Sequence, residues 1–225
     1  MSSLIGRYFR LLYNLRHHVW GDITLNTWLI LLWLVLALLF YFDVLPGGAT
    51  LAIFALALIL ALLLGQWWAS SRFYVLFEAA ESANELGPVA ALEPKDKVLL
   101  RASGVFAVEG EEKRFTDMLA YYRTFGTREH TIMARRSPTR FLGLGRSKPD
   151  TLGMWYIFFM PENLNAVTPG HLYFGSTPHP ALRLDYVRIN LKGKARTSVA
   201  YLSFETEHSM NQVLADLLLD MGGSE

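Results

Sequence analysis

The most polarised grouping in this chain is a set of five cations, Arg135, Arg136, Arg140, Arg146 and Lys148, with no carboxylate among them. Pro138, Gly143 and Gly145 make the segment a loop, and Phe141, Leu142 and Leu144 give it apolar tips. A basic loop with apolar tips suits an anionic membrane surface, where each Lys or Arg contributes on the order of 1 kcal/mol. The same composition also fits a protein partner or a plain solvated loop. Gly143-x-Gly145 lacks the further glycine and the Lys-Ser/Thr pair of a phosphate loop.

The remaining chemistry-bearing residues form no constellation. His17, His18, His130, His171, His179 and His208 show no HExxH or comparable ligand spacing. His171 and His179 flank proline-rich sequence and could share a metal, although surface or turn histidines read more simply. Asp185, Glu205 and Glu207 are expected on or near adjacent strands, but acid–base work needs a cleft and shifted pKa values. Ser103-Gly104 and Ser198 lack a nucleophile-elbow context. The chain has no cysteine, which removes disulfides, thiolate ligands and thiol nucleophiles. These residues point to no enzyme and imply no cofactor and no metal. A net charge of +1 gives no reason to expect nucleic acid as a partner.

The elements that must position these residues begin with two uncharged apolar runs, 24–42 and 51–68. At about 1.5 Å per helical residue each reaches roughly 27–29 Å, close to the ~30 Å hydrocarbon core of a bilayer. In lipid the backbone must satisfy its own hydrogen bonds, so both runs are expected as helices of a transmembrane hairpin, 24–68. Arg7, Arg10 and Arg16 precede the hairpin and Arg72 follows it, while the connection 43–50 holds no Lys or Arg. The positive-inside rule then places both termini in the cytoplasm of a two-pass protein of the inner (plasma) membrane. Trp20, Trp28, Tyr41, Trp67 and Trp68 stand near the span ends, where amphipathic rings suit the headgroup zone.

Residues 1–22 carry Leu4, Ile5, Tyr8, Leu11, Leu12, Leu15 and Val19 at three- and four-residue steps, an amphipathic helix expected along the membrane surface or packed on the soluble domain. In the second run Ala57, Ala61 and Gly65 are spaced by four. Such a strip admits a close helix: the first span, a second copy, or an integral-membrane partner. Neither run holds an ionisable residue, which makes an anchor a better reading than a pathway.

Beyond the membrane, 70–86 reads as a helical continuation ended by Gly87-Pro88, making 69–92 a stalk. From Lys97 the period changes to two. Strands are expected at 98–108, 115–125, 131–135, 154–160, 182–189 and 199–204. A last helix follows, with Met210, Val213, Leu214, Leu217, Leu218 and Met221 on one face, a Thr206 or Ser209 cap, and Gly222-Gly223 after it. The succession at 182–221 of strand, Lys192-Gly193-Lys194 turn, strand and capped helix resembles the pleckstrin-homology-like barrel. The whole chain resembles small bacterial proteins that join a transmembrane hairpin to such a domain. The resemblance implies an α+β membrane protein with a cytoplasmic PH-like β-barrel over 97–225, its C-terminal helix plugging one end. The stretch 160–180, rich in Pro and Gly, exceeds what that barrel needs.

The function these readings favour is a non-enzymatic, membrane-anchored binding or scaffold protein that presents its soluble domain to a membrane-complex partner. An anionic-lipid sensor using 135–148 is the alternative, and an enzyme with a site in 160–180 a third. Membrane lipids, an integral-membrane protein or a second copy are the implied partners.

Overall fold

The structure, a computed structural model, describes residues 2–80, 92–93, 95–108, 111–125, 129–135, 154–189 and 193–221. Helix α1 (Ser2–His17) comes first and turns its Phe9 and Leu12 inward. A two-residue ribbon, β1 (Val19–Trp20) with β2 (Ile23–Thr24), reverses the chain through Gly21 and Asp22, both at positive φ. Thr24 then caps α2 (Leu25–Tyr41), its Oγ1 accepting the Thr27 N–H at 3.3 Å. Helix α3 (Gly48–Ser71) follows.

These helices correct the expected transmembrane hairpin. Because Thr24 is taken up by the ribbon and the cap, α2 has 17 residues and reaches only about 26 Å. Helix α3 takes in the preceding glycine turn and the following serines, and its 24 residues reach about 36 Å. Among the described residues α3 alone is long and apolar enough to cross a bilayer. A two-pass protein with both termini in the cytoplasm needs two such helices, so that localisation does not stand. The two helices do pack antiparallel, since Asn26 near the start of α2 meets Gln66 near the end of α3. Buried Ala37, Ala52 and Ala55 let their backbones approach.

In the described part of the expected helical stalk (69–92) an edge strand stands where helix was expected, while 81–91 lie outside the described residues. After α3 the chain turns at once into β3 (Leu76–Ala79). The sheet continues with β4 (Val98–Val108), β5 (Glu111–Phe125), β6 (Glu129–Arg135), β7 (Met154–Phe159), β8 (Leu164–Tyr173), β9 (Pro178–Ile189) and β10 (Ala195–Phe204). Helix α4 (Glu207–Met221) ends the described chain, its first turn capped by Thr206 Oγ1 accepting the Ser209 N–H at 3.2 Å. The eight strands form one antiparallel sheet in the order β3-β8-β9-β10-β4-β5-β6-β7. It is open, with β3 and β7 as its two edges among the described residues, and this overturns the expected closed PH-like barrel. The fold is α+β, with four helices among the described residues.

Strand β8 falls in the Pro- and Gly-rich stretch 160–180, which exceeds what a minimal barrel needs. Two local facts let it be a strand. The Pro169 carbonyl accepts the Ala80 N–H at 3.1 Å, just past the last β3–β8 pair, so the missing proline N–H faces the end of β3 and breaks no ladder. A Cβ on Gly170 would lie 2.2 Å from the Glu78 oxygen, so glycine is what lets β3 approach.

One face of the curved sheet holds the main core. Phe106, Tyr122, Ile132, Leu182, Leu184, Leu202 and Phe204 alternate inward from five strands, and Val213, Leu214 and Leu217 of α4 close over them. Gly104 at φ +150 lets β4 cross β10, since a Cβ there would come within 2.8 Å of Ala200 Cα. Two smaller clusters lie under α1 (Phe9, Leu12, Ala69, Tyr74) and under β3 (Phe73, Val75, Leu172, Ala181). Leu217 is 1% exposed, so Leu217→Ala is expected to lower stability by about 2–5 kcal/mol in a denaturant melt. A change below about 0.5 kcal/mol would mean that α4 does not pack on this core.

Candidate functional site

Four polar groupings reach into the molecule, and two of them fasten the core. Tyr122 Oη donates to Asp216 Oδ2 at 2.7 Å and also meets His130 Nδ1, which lies 3.4 Å from the same carboxylate. These groups come from β5, β6 and α4, so the network clamps the C-terminal helix to the sheet. At the other end of the core Arg188 Nε donates to Ser198 Oγ, Arg188 Nη1 lies 2.8 Å from Glu112 Oε1, and Tyr186 Oη donates to the Val105 carbonyl. These bonds tie β9 to its neighbour β10 and to β5 and β4. Burial pushes the Tyr186 phenol well above its ordinary value.

The third grouping lines a cleft of about 420 Å³ between α1 and the outer face of the sheet. Its floor is shaped by a β-bulge: the β4–β5 register slips between Ala102 and Gly104, and Asp117 takes a left-handed φ of +52. The Asp117 N–H donates to Ser103 Oγ at 2.9 Å, and its carboxylate pairs with Arg101 at 3.2 Å. This strained residue is thereby aimed into the cleft. Arg10 enters from α1 with its guanidinium 6.0 Å from the Phe174 ring centroid. Burial first, and the Asp117 carboxylate next, push the neighbouring Tyr13 phenol up. His179 and Glu205 complete the polar lining, while Leu99, Leu119, Leu172 and Phe174 supply the apolar one.

The cleft opens onto an uncommon outer surface. Leu99, Tyr121, Met133 and Tyr156 stand opposite one another on β4, β5, β6 and β7, an apolar row across four strands. Leu119 and Phe158 flank it, and Leu99, Leu119, Tyr156 and Phe158 are all exposed. Sheet faces of soluble monomers seldom leave so many large apolar side chains uncovered.

A fourth arrangement joins the helices to the sheet. Gln66 is 7% exposed in an otherwise apolar helix. Its Nε2 donates to the Leu12 carbonyl at 2.9 Å and to Asn26 Oδ1 at 3.2 Å, and its Oε1 accepts from Tyr74 Oη at 3.0 Å. Arg16 Nη1 donates to the same phenol at 3.2 Å. One amide thus binds α1, α2 and the turn after α3. In that turn Phe73 and Tyr74 both sit at positive φ (55 and 58), which bulky residues adopt only where surroundings enforce it. The enforcement is visible: Tyr74 is held by Gln66 and Arg16, and Arg114 of β5 lies 4.5 Å over the Phe73 ring. Arg114 also donates to the Ser70 carbonyl at the C-terminal end of α3, where the helix dipole favours a cation.

The sequence-selected positions fall out unevenly. Arg135 ends β6, while Arg136, Arg140, Arg146 and Lys148 lie outside the described residues. Gly65 is buried beneath α1, with Tyr8 Oη 2.3 Å from where a Cβ would stand, so its smallness serves the α1 contact. Ala57 and Ala61 are exposed. His171 and His179 belong to opposite faces of the β8–β9 pair, since Leu172 and not His171 stands opposite His179, so they do not share a metal. Among the described residues no three potential ligands gather. Sequence reasoning missed Asp117 and Gln66, read Arg10 only as a charge flanking the apolar runs, and named Glu205 as a carboxylate without the cleft that it lines; the glutamine in an apolar helix was the visible signal for Gln66.

Gln66→Leu should leave the Leu12 carbonyl and the Tyr74 hydroxyl without their partner and lower stability by about 1–3 kcal/mol. Combined with Tyr74→Phe, a double-mutant cycle in detergent should show coupling of about 0.5–3 kcal/mol, and additivity would refute the shared bond. The phenols give a second test. Tyr13, Tyr186 and Tyr201 are all raised by burial, so their contribution to stability is complete below about pH 10 and is lost as pH climbs above it. The urea midpoint should therefore fall above about pH 10, and Tyr186→Phe should flatten that fall.

No family model matches the chain, and neither a curated protein nor a solved structure matches it.

Proposed function

We propose that this chain is a non-enzymatic, membrane-anchored binding protein whose α3 enters the bilayer and whose sheet is held at the membrane surface to present a cleft and an apolar face. The observation that carries the reading is the surface of α3. Only 17% of its most apolar 18-residue stretch is buried. A core helix of a soluble protein would be covered; this one turns Ile53, Phe54, Leu56, Leu60, Leu63 and Leu64 outward. The shorter α2 packs along it and is equally apolar outside, with Leu31, Leu32, Val35 and Leu38 exposed.

The ends of this pair support the same reading. Trp20, Trp28, Trp67 and Trp68 gather where α2 begins and α3 ends, Tyr41 and Phe42 at the opposite end. Rings of this kind prefer the headgroup region. Helix α1 lies beside the first group, Phe9 packing edge-on against Trp68 at 4.9 Å, and shows Leu4, Tyr8 and Leu11 outward next to Arg7. That face fits the interfacial role read from its sequence, while its Phe9 face is packed on the protein. The polar groupings of the core serve packing, which favours binding over catalysis. The exposed row Leu99-Tyr121-Met133-Tyr156 supports a protein partner on the sheet.

The full chain should remain in the membrane pellet after alkaline carbonate extraction, and release into the supernatant would contradict the reading. Leu60→Arg, at the middle of α3, should cost about 2.5–3.5 kcal/mol of insertion and visibly lower the membrane fraction. An unchanged membrane fraction would show that α3 is not the inserted element.

A further inference from the structure

We infer that the cleft between α1 and the sheet binds the headgroup of an amine-bearing zwitterionic phospholipid, of the phosphatidylethanolamine type, with part of the acyl region against its leucines. The inference rests on the membrane reading above and assigns that protein a ligand.

Charge selects the class. Two cations, Arg10 and Arg101, and two carboxylates, Asp117 and Glu205, line the cleft. Asp117 is spent on Arg101. Arg10 and Glu205 make no ion pair among the described residues, which leaves one cation and one anion to meet a ligand. A net anion would find no net positive charge here, whereas a zwitterion satisfies both groups: phosphate on the Arg10 guanidinium, ammonium on the Glu205 carboxylate. Continuing the pairing of Ser203 with Ala181 by two residues brings Glu205 opposite His179, so the carboxylate stands on the sheet and Arg10 on the helix facing it.

Position and lining select a lipid over a soluble zwitterion. Arg10 belongs to α1, whose outer face carries Leu4, Tyr8 and Leu11 beside the tryptophans of α3. A lipid in the adjacent leaflet thus meets the cleft at high effective concentration. Leu99, Leu119, Leu172 and Phe174 would have nothing to cover in a bare headgroup complex. The volume of about 420 Å³ lies in the range of small-molecule sites and is far too small for a whole lipid, so the acyl ends stay in the bilayer. A primary ammonium also donates hydrogen bonds to Glu205, which a quaternary choline cannot do.

The test is native mass spectrometry of the full chain after mild-detergent extraction and reconstitution into nanodiscs containing phosphatidylethanolamine, phosphatidylcholine or phosphatidylglycerol. The proposal expects one retained lipid per chain, enriched about tenfold for phosphatidylethanolamine over the other two. Arg10→Gln and Glu205→Gln should each abolish the enrichment while leaving the melting curve and the membrane fraction unchanged. Equal retention of the three lipids, or enrichment that survives both variants, overturns it. Displacement of the bound lipid by soluble phosphoethanolamine overturns the assignment to a lipid in favour of a free headgroup ligand. A chain that partitions into membranes yet retains no lipid refutes this proposal alone; a chain absent from the membrane fraction refutes the anchoring reading and this one with it.

Discussion

A buried amide in an apolar helix must find partners for its two N–H bonds and its oxygen, and most of this architecture follows from how Gln66 does so. Its donors go to α1 and α2 and its acceptor to Tyr74. Leaving any of them unmade would cost about 1–3 kcal/mol, so the three elements are held in one arrangement. The turn that Tyr74 occupies carries two consecutive bulky residues at positive φ. Strain of that kind persists only where neighbours over-determine the backbone. Here Gln66 and Arg16 grip one side of the turn and Arg114 the other. The first strand of the sheet therefore leaves α3 in a fixed direction, and α1 is placed to wall the cleft.

Much of the secondary structure was legible because its physical cause is local. The inward alternation of β4 follows the residue types along 98–108, and the Thr206 cap followed by a 3.6-period stripe marks α4. Apolar runs marked both α2 and α3, but composition cannot say where a helix starts. Thr24 was drawn into a cap and ribbon, which shortened one helix, while Gly48 and Ser70-Ser71 lengthened the other. That difference decides how many helices qualify to cross a bilayer.

What stayed hidden depends on contacts distant in sequence. Leu76–Ala79 looks like helix continuation until β8 stands beside it, and the Pro- and Gly-rich stretch 160–180 shows no strand signal until β3 pairs with it. Openness of the sheet is likewise a matter of which edges meet, which no run of strands reveals. The cleft draws Arg10, Asp117 and Glu205 from widely separated segments, and Asp117 lines it at a bulge where Ser103 accepts its N–H and Arg101 pairs with its carboxylate. By contrast the basic segment 135–148, conspicuous in sequence, contributes only Arg135 to a described strand.

On the proposed reading, an inserted α3 and the sheet form one rigid body at the membrane surface. The chain contains no cysteine, so single labelling sites can be introduced freely. The most direct measurement is the distance distribution between spin labels at Leu60 of α3 and Arg196 of β10, recorded in lipid bilayers. One narrow distribution is expected, broadening when Gln66 is replaced by Leu. A broad distribution in the unaltered pair would show that the sheet is only tethered to the helix, and would contradict the account.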